Sequence, residues 1–258
     1  DRGRNGRDLP NVDFRDHKRE IQLVNKDGYY EMNFEQLEMQ AKDPKTKLIL
    51  VCSPQNPSGR LWTKEELTRM GNICIDNGVK VVVDEIHSDL ILTDREFVSF
   101  ATISDKFAQN SIICTSPSKS FNVAGLLVSD IIIPNDEMRA AFQEKMQPYY
   151  LWPGAFGAVA QIAAYNESEE WLEELKEYLR GNAQFIADFI QKRMPKVKYR
   201  IPEATYLGWL DFRAYGMTDQ ELWDFMCHKA KVATDDGPKF GPNGEAGGFQ
   251  RINFSCPR

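Results

Sequence analysis

The chain has 258 residues, of which 42% are hydrophobic and 27% charged, with 17 glycines and 13 prolines. This balance is typical of a folded globular protein, and it excludes disordered, collagen-like and disulfide-scaffold classes. Thirty-two basic and 38 acidic side chains give a formal net charge of −6. Because binding to nucleic-acid phosphates requires a basic surface, we expect no nucleic-acid partner.

The cysteines and the chain ends indicate the setting of the protein. Its five cysteines form no C-x-x-C pair, and most lie inside apolar stretches, which is typical of reduced, buried thiols. No run approaches 18 apolar residues, and residues 1–20 are too charged for a signal peptide. We therefore expect a cytoplasmic protein with no membrane partner. The chain begins without Met and stops at CPR, so we interpret it as an interior piece of a longer protein.

The first half of the sequence predicts a parallel α/β sheet. Short apolar, β-branched runs alternate with one amphipathic helix, as in βαβ units. The helix is predicted over residues 63–77, because Thr63 and Glu66 have capping-box spacing and Asn77-Gly78 is a stop signal. The four predicted strands are residues 48–52, 79–83, 112–115 and 127–133.

The second half predicts a smaller α+β unit. A helical tract over residues 155–193 ends at Met194-Pro195. Strands are predicted at 197–201, 206–212 and 249–254, and a helix at 219–229. We divide the chain into a mostly parallel α/β domain over residues 1–165, incomplete at its N-terminus, and a small α+β domain over residues 166–258, incomplete at its C-terminus.

Polar side chains follow three of the predicted strands directly. SPQNPSG follows the first strand, DEIH the second and SPSKS the third. In open parallel sheets, ligands bind beyond the carboxyl ends of the strands. The sequence thus places an amide, a carboxylate, an imidazole, hydroxyls and an amine along one sheet edge.

These motifs resemble a known family. SPQNPSGR, VVVDEIH and TSPSKSFN, in this order and spacing, resemble the fold-type I pyridoxal-phosphate enzymes of the aspartate aminotransferase superfamily. CSPQNPSGRLW, DEIHSDL, SKSFNVAGL and FQRINFSCPR together are most similar to the cystathionine beta-lyase, or carbon-sulfur lyase, branch. The resemblance covers nearly all of the chain. It implies the cofactor pyridoxal 5'-phosphate, a homodimer, and members that extend beyond both ends of this sequence.

The resemblance assigns the central cofactor contacts. Lys119 is expected to form an imine with the cofactor and then to move the proton at the substrate Cα. Asp84 is expected to pair with the pyridine nitrogen, and Asn56 to donate to the phenolic oxygen. From the residues alone, Lys119 would be interpreted as a solvated lysine, Asp84 as the cap of a turn, and Asn56 as part of an Asn-Pro turn.

Further positions follow from the same resemblance. His87 stands where many aminotransferases have a tyrosine that bonds the phenolic oxygen. Ser116, three residues before the lysine, matches a phosphate-binding serine of the superfamily, and Ser118 is a second candidate. The arginine often found eight residues after the lysine is replaced by Leu127, so phosphate binding is expected to depend on hydroxyls, backbone amides and the segment that this sequence lacks. Arg251 is expected to bind the substrate α-carboxylate, although its pattern also fits an edge-strand charge. The three scattered histidines predict no metal site.

Some residues outside the motifs are assigned no functional role. We interpret Arg60 and Arg258 as solvated charges. Four tryptophans are interpreted as packing residues, namely Trp62, Trp152, Trp209 and Trp223.

Four functions remain open at this point. The first is a lyase that eliminates the β-thiolate of cystathionine or a related amino acid and yields pyruvate and ammonia, and the second is an aminotransferase with the same residues. The third follows from Ser116-Pro117-Ser118-Lys119, which also fits the S-x-x-K motif of penicillin-binding enzymes, although no K-T-G is present. The fourth is a piece without catalytic activity.

Overall fold

The structure is a computed structural model that describes residues 19–241 and 243–257. Residues 1–18 and Arg258, including the predicted solvated charge of Arg258, lie outside the described residues. The described strands are β1 (Val24–Lys26), β2 (Tyr29–Glu31), β3 (Leu48–Cys52), β4 (Lys80–Asp84), β5 (Ser111–Thr115), β6 (Asp130–Ile132), β7 (Lys198–Tyr199), β8 (Leu207–Asp211), β9 (Asp235–Asp236) and β10 (Phe249–Asn253). The described α-helices are α1 (Phe34–Ala41), α2 (Lys64–Asp76), α3 (Asp105–Gln109), α4 (Pro117–Ser120), α5 (Asp136–Met146), α6 (Ala155–Glu167), α7 (Glu169–Arg193) and α8 (Asp219–Asp224).

The first large sheet has the order β3-β4-β5-β6. Its β3, β4 and β5 strands are parallel, as predicted, but β6 is antiparallel to β5. A strand that runs parallel to the one before it needs a crossover connection, which carries the chain back to the end of the sheet where the earlier strand began. Between β5 and β6 the only α-helix described is the four-residue α4, so the chain reverses direction at the carboxyl end of β5. The expected parallel direction of the fourth run is therefore wrong.

Helix α2 confirms the prediction made from its cap. The Glu66 N–H donates to Thr63 Oγ1 over 3.1 Å, and the Thr63 N–H donates to Glu66 Oε2 over 2.7 Å. Leu67, Met70 and Cys74 are buried on one face of the helix. They pack in the core formed with the apolar side chains of β4. Two reciprocal bonds at the cap and one apolar face are enough to fix this helix locally.

The second sheet is antiparallel, with the order β7-β8-β10-β9. Helix α7 packs on it through Ile190, which shares a core with Leu210 and Phe212. The expected smaller α+β unit after an α/β unit is thus confirmed. The helical tract predicted over residues 155–193 is two helices, because the backbone at Ser168, the residue between α6 and α7, leaves the helical region. Glutamates in the first turn of α7 suit a helix N-terminus.

A short segment of the second half, residues 203–205, lies between the loops of the first sheet. The Gly59 carbonyl accepts the N–H groups of Glu203 and Ala204, over 2.9 and 3.1 Å. The Thr205 N–H donates to Leu90 O over 2.8 Å, and the Leu92 N–H donates to Glu203 O over 2.9 Å. This segment leads into β8, so the second sheet is held beside the carboxyl ends of β3 and β4.

Arg60 is part of the same junction, and its expected solvation is wrong. The residue is 2% exposed. Its Nη2 donates to both carboxylate oxygens of Glu66, and its Nη1 donates to Glu203 Oε2. The guanidinium also lies 4.2 Å from the ring centroid of Tyr29 and 4.9 Å from that of Trp62. Arg60 therefore connects the first sheet to the segment that leads into the second.

Two other expectations about burial are wrong. Trp152, interpreted as a packing residue, is 80% exposed, and it lies beside other exposed apolar side chains between α5 and α6. Of the five thiols, Cys74 is buried, whereas Cys227 and Cys256 are exposed.

Within residues 19–241 and 243–257, no helix has the combined length and apolar character needed to cross a bilayer.

Candidate active site

The three motif-bearing loops meet at one edge of the first sheet. Cys52, Asp84 and Cys114 occupy matching positions at the carboxyl ends of β3, β4 and β5. Because these strands are parallel and in register, the three side chains lie on the same face. Burial raises the pKa of the Cys52 thiol to about 11 and also raises that of Cys114. The Asp84 carboxylate is therefore flanked by two neutral thiols.

The loop after β3 is fixed by its own hydrogen bonds. The Gln55 N–H donates to Arg60 O, and the Gly59 N–H donates to Gln55 O, both over 2.8 Å. The Gln55 side-chain oxygen accepts the Ser58 N–H over 2.9 Å. These bonds close a tight loop around Asn56, so the position of its side chain is set by the loop and not by solvent.

Asn56 and Arg251 are in direct contact. Arg251 Nη1 donates to Asn56 Oδ1 over 2.9 Å, although Asn56 lies in the loop after β3 and Arg251 lies in the second sheet. Arg251 lies in β10 and is mostly buried, so it is not the solvated edge charge that the sequence left open. The structure thus brings together a residue of the first motif and a residue of the last.

Lys119 lies on α4, the short helix that follows β5. Its side chain is half-buried, and within the described residues no hydrogen bond or ion pair holds its amine. Ser116 caps the helix: its Oγ accepts the Ser118 N–H over 3.1 Å and donates to Val128 O over 2.7 Å. The hydroxyl of Ser116 is therefore engaged, whereas that of Ser118 has no protein partner among the described residues.

His87 is a buried, neutral imidazole at this edge. It is 2% exposed, and its ring contacts the Tyr206 ring edge-on at a centroid distance of 5.7 Å. Burial, and then the positive charges of Lys119 and Arg251, lowers the pKa of His87 to about 4. Its Nδ1 is buried and has no partner among the described residues. These charges place His87 in the same cluster as Lys119 and Arg251.

The Asp84 carboxylate is exposed at the end of the central strand. One oxygen accepts the Ile86 N–H over 3.0 Å, so the aspartate does cap a turn, as the residues alone also predicted. Its other oxygen has no partner among the described residues. A carboxylate, an unpaired amine, an amide and a guanidinium thus surround one edge of the sheet. The described chain holds no cluster of His, Cys, Asp or Glu suited to a metal ion.

A family model for class I and II aminotransferases matches residues 11–258 of this sequence. The convergent loops and β10 all lie inside that match. The chain belongs to the class I and II aminotransferase family. This membership confirms the resemblance drawn from the four motifs, and it removes the S-x-x-K interpretation of Ser116 and Lys119.

Individual members of the family are similar over most of this chain. Cystathionine beta-lyase PatB of Bacillus subtilis is 46% identical over 235 residues, which are 91% of this chain and 60% of that protein. Cystalysin from Treponema denticola, whose crystal structure contains pyridoxal 5'-phosphate, matches with a TM-score of 0.89 and 37% identity over 93% of this chain and 60% of its own. The PLP-bound C-S lyase from Staphylococcus hominis matches with a TM-score of 0.84 and 34% identity over 92% of this chain and 60% of its own.

The chain therefore spans about 60% of the length of these relatives. The structural likeness confirms the predicted fold class, fold-type I with a mostly parallel sheet followed by a smaller α+β unit. It also agrees with the interpretation of this sequence as part of a longer protein.

Three residues around Arg251 were not predicted as site residues. Asp235 Oδ2 accepts from Arg251 Nη2 over 2.6 Å, and the Phe240 ring centroid lies 4.6 Å from the guanidinium carbon. Tyr206 contacts His87, and the positive charge of Arg251 opposes the burial that raises the pKa of Tyr206. Asp235 and Phe240 stand in no motif and at no predicted strand end, whereas Tyr206 begins the strand predicted over residues 206–212 but was not singled out. The pairing of β9 with β10 is the property that brings Asp235 to Arg251, and the sequence pattern did not reveal β9.

Proposed function

We propose that the protein containing this chain is a pyridoxal 5'-phosphate-dependent lyase that cleaves the Cβ–S bond of cystathionine or a related sulfur amino acid. Elimination releases a thiol, and hydrolysis of the remaining three-carbon fragment by water gives pyruvate and ammonia. The observation that carries the proposal is the meeting of Asp84, Lys119, Asn56 and Arg251 at one sheet edge. The similarity to a cystathionine beta-lyase and to two PLP-bound or PLP-containing structures supports the cofactor and the reaction.

The residues present suit this cofactor. Asp84 has a free carboxylate oxygen at the end of the central strand, and the unpaired amine of Lys119 follows the neighbouring strand. His87 adds a buried nitrogen that lacks a partner. When bound, pyridoxal 5'-phosphate supplies an electron sink for the negative charge that develops at the substrate Cα.

Lys119 is the group that moves the proton. Its amine would hold the cofactor covalently and, once the substrate amine has replaced it, accept the proton from Cα. Loss of that proton provides the electron pair that expels the thiolate from Cβ. Asp84 would accept a hydrogen bond from a protonated ring nitrogen, which keeps the ring electron-poor.

The contact between Asn56 and Arg251 fixes which end of the amide is free. A guanidinium only donates hydrogen bonds, so Asn56 must present its oxygen to Arg251. The Nδ2 donors of Asn56 then remain available for an acceptor such as the phenolic oxygen of the cofactor. His87, Ser116 and Ser118 are proposed as further cofactor contacts, the serines at the phosphate.

Arg251 is the proposed site for the substrate α-carboxylate. A guanidinium binds a carboxylate through two parallel hydrogen bonds, so it fixes the orientation of the amino acid as well as its affinity. The orientation of the Cα–H bond toward the base is thereby set. Lys119 and Arg251 both act on the pKa of His87, which supports placing substrate and base in one site.

The test uses the full-length protein with its cofactor. Incubation with L-cystathionine should release pyruvate and a free thiol in equal amounts, and Lys119→Ala should abolish both. The family also includes aminotransferases, which form the alternative function. Transfer of the amino group to 2-oxoglutarate without release of a thiol would favour an aminotransferase. If neither thiol release nor amino-group transfer is observed, both functions are refuted.

We further propose a cytoplasmic homodimer that acts on small molecules without nucleic acid or membrane. Large apolar side chains are exposed between α5 and α6 and in the first turn of α6, among them Trp152 and Phe156 at 80% and 86%. A surface of this kind is typical of a protein contact. Light scattering of the full-length protein should give twice the monomer mass. We also propose the domain division at residues 165 and 166, two residues before the end of α6.

A further inference from the structure

The guanidinium of Arg251 already binds a carboxylate of its own chain. Arg251 Nη2 donates to Asp235 Oδ2 over 2.6 Å, and Nη1 donates to Asn56 Oδ1 over 2.9 Å. The Nε atom is buried and has no partner among the described residues. A ligand therefore reaches this guanidinium at its Nη atoms, of which Nη1 already donates to Asn56 and Nη2 to Asp235.

The contact follows from the register of two strands. Asp235 in β9 is the direct antiparallel partner of Arg251 in β10. Directly opposed residues of an antiparallel pair place their side chains on the same face, with short distances between them. The backbone position of Asp235 is thus set by the sheet, as is that of Arg251.

The Asp235 side chain also lies near a second cation, Lys239. Its side chain is 46% exposed, compared with 20% for Arg251, and its Oδ1 lies 3.7 Å from Lys239 Nζ. The hydrogen bond from Arg251 lowers the pKa of Asp235, which keeps the carboxylate ionised at neutral pH. Asp235 is chemically equivalent to the α-carboxylate of an amino acid, and a second cation lies beside it.

We propose that Asp235 is a specificity-determining residue that competes with the substrate carboxylate for Arg251. It occupies Nη2 in the free enzyme, and an incoming α-carboxylate displaces it toward Lys239. Ligands without a carboxylate cannot replace the lost ion pair, so they are rejected. The proposal rests on the role of Arg251 in the proposed function.

The test measures binding of a carboxylate without turnover. The probe is 3,3,3-trifluoropropionate, titrated into the full-length holoenzyme and followed by ¹⁹F NMR. Asp235→Asn removes the competing charge and should tighten binding about fivefold, as expected for a partly exposed ion pair. Asp236→Asn is the matched control, because it removes the same charge from the opposite face of β9. It should leave binding unchanged. The KM for L-cystathionine should fall in Asp235→Asn while kcat stays the same.

Two outcomes separate this proposal from the proposed function. If Arg251→Ala loses the probe but Asp235→Asn binds it equally or more weakly, Asp235 positions Arg251 and the competition is refuted. If Arg251→Ala binds the probe as the wild type does, the carboxylate site itself is elsewhere. Asp235→Ser serves as a second variant, and circular dichroism confirms that each variant is folded.

Discussion

Asn56 and Arg251 are 195 positions apart in the sequence, and a hydrogen bond of 2.9 Å joins their side chains. The contact spans the two sheets and links the proposed cofactor contact to the proposed substrate contact. Loss of Arg251 should therefore act on substrate capture first, because the loop that holds Asn56 is closed by its own bonds.

Arg251→Ala should lower kcat/KM for L-cystathionine by roughly 100-fold or more, since a charge-assisted hydrogen-bond pair to the substrate is lost. Arg251→Lys should not restore it, because an ammonium cannot form two parallel bonds. Steady-state kinetics check this, with Arg213→Ala as the control. The cofactor should remain bound, and normal kcat/KM in Arg251→Ala would place the carboxylate site at another residue.

Asp84→Asn should lower kcat by roughly 100-fold or more, which is typical when a preorganised electrostatic contact is removed. The amide keeps the shape and the bond from Ile86 but not the charge. Cofactor retention after gel filtration should also fall. Asp94→Asn removes an exposed carboxylate and should have no effect. Unchanged turnover in Asp84→Asn would mean that this carboxylate only closes its turn.

Borohydride treatment of the full-length holoenzyme should attach the cofactor permanently to Lys119, because it reduces a carbon–nitrogen double bond between a lysine and an aldehyde. Peptide mapping by mass spectrometry identifies the modified residue. Lys239→Ala should be labelled as the wild type is, and Lys119→Ala should not. A label on a different lysine would contradict the central assignment.

Arg60→Ala should reduce the free energy of unfolding by about 3 kcal/mol, because Glu66 loses its buried partner and Glu203 keeps Arg95 as its remaining ion-pair partner. Urea denaturation of the full-length protein measures the change. Arg139→Ala breaks a more exposed ion pair with Asp136 and should cost about 1 kcal/mol or less. Equal losses in the two variants would argue against the junction described at Arg60.

His87 should make the protein less stable as the pH falls. The pKa of His87 is about 4 in the folded chain, compared with the reference value of 6.5 that applies to the unfolded chain. Between these two pH values only the unfolded state binds the proton. Stability is complete above about pH 6.5 and is lost on acidification, by about 1 kcal/mol from pH 7 to pH 5.5. Denaturation at the two pH values measures it. His87→Gln should lose this component, while the exposed His228→Gln should keep it.

Local features of the sequence predicted local structure well. The Thr63 and Glu66 spacing predicted the start of α2, because both partners of the cap lie within one turn. The three strand-end loops were also predicted to meet, since parallel strands share one edge. The direction of β6 was not predictable, because an apolar run carries no information about which way the chain enters the sheet.

Long-range contacts of charged residues could not be predicted. An arginine is ordinarily exposed, and Arg60 is buried because Glu203 lies beside it in the fold. The contact of Asp235 with Arg251 likewise depends on a two-residue strand. In both cases the deciding partner is distant in sequence or stands outside any motif, so composition and spacing give no signal.

The junction at Arg60 also sets an order of events during translation. Glu203 is synthesised 143 residues after Arg60, which at about 5–20 residues per second is roughly 7 to 30 seconds. Until then the nascent chain has Glu66 but not Glu203 as a partner for this cation. The first sheet therefore reaches its full stability late in synthesis, after residue 203 has left the ribosome.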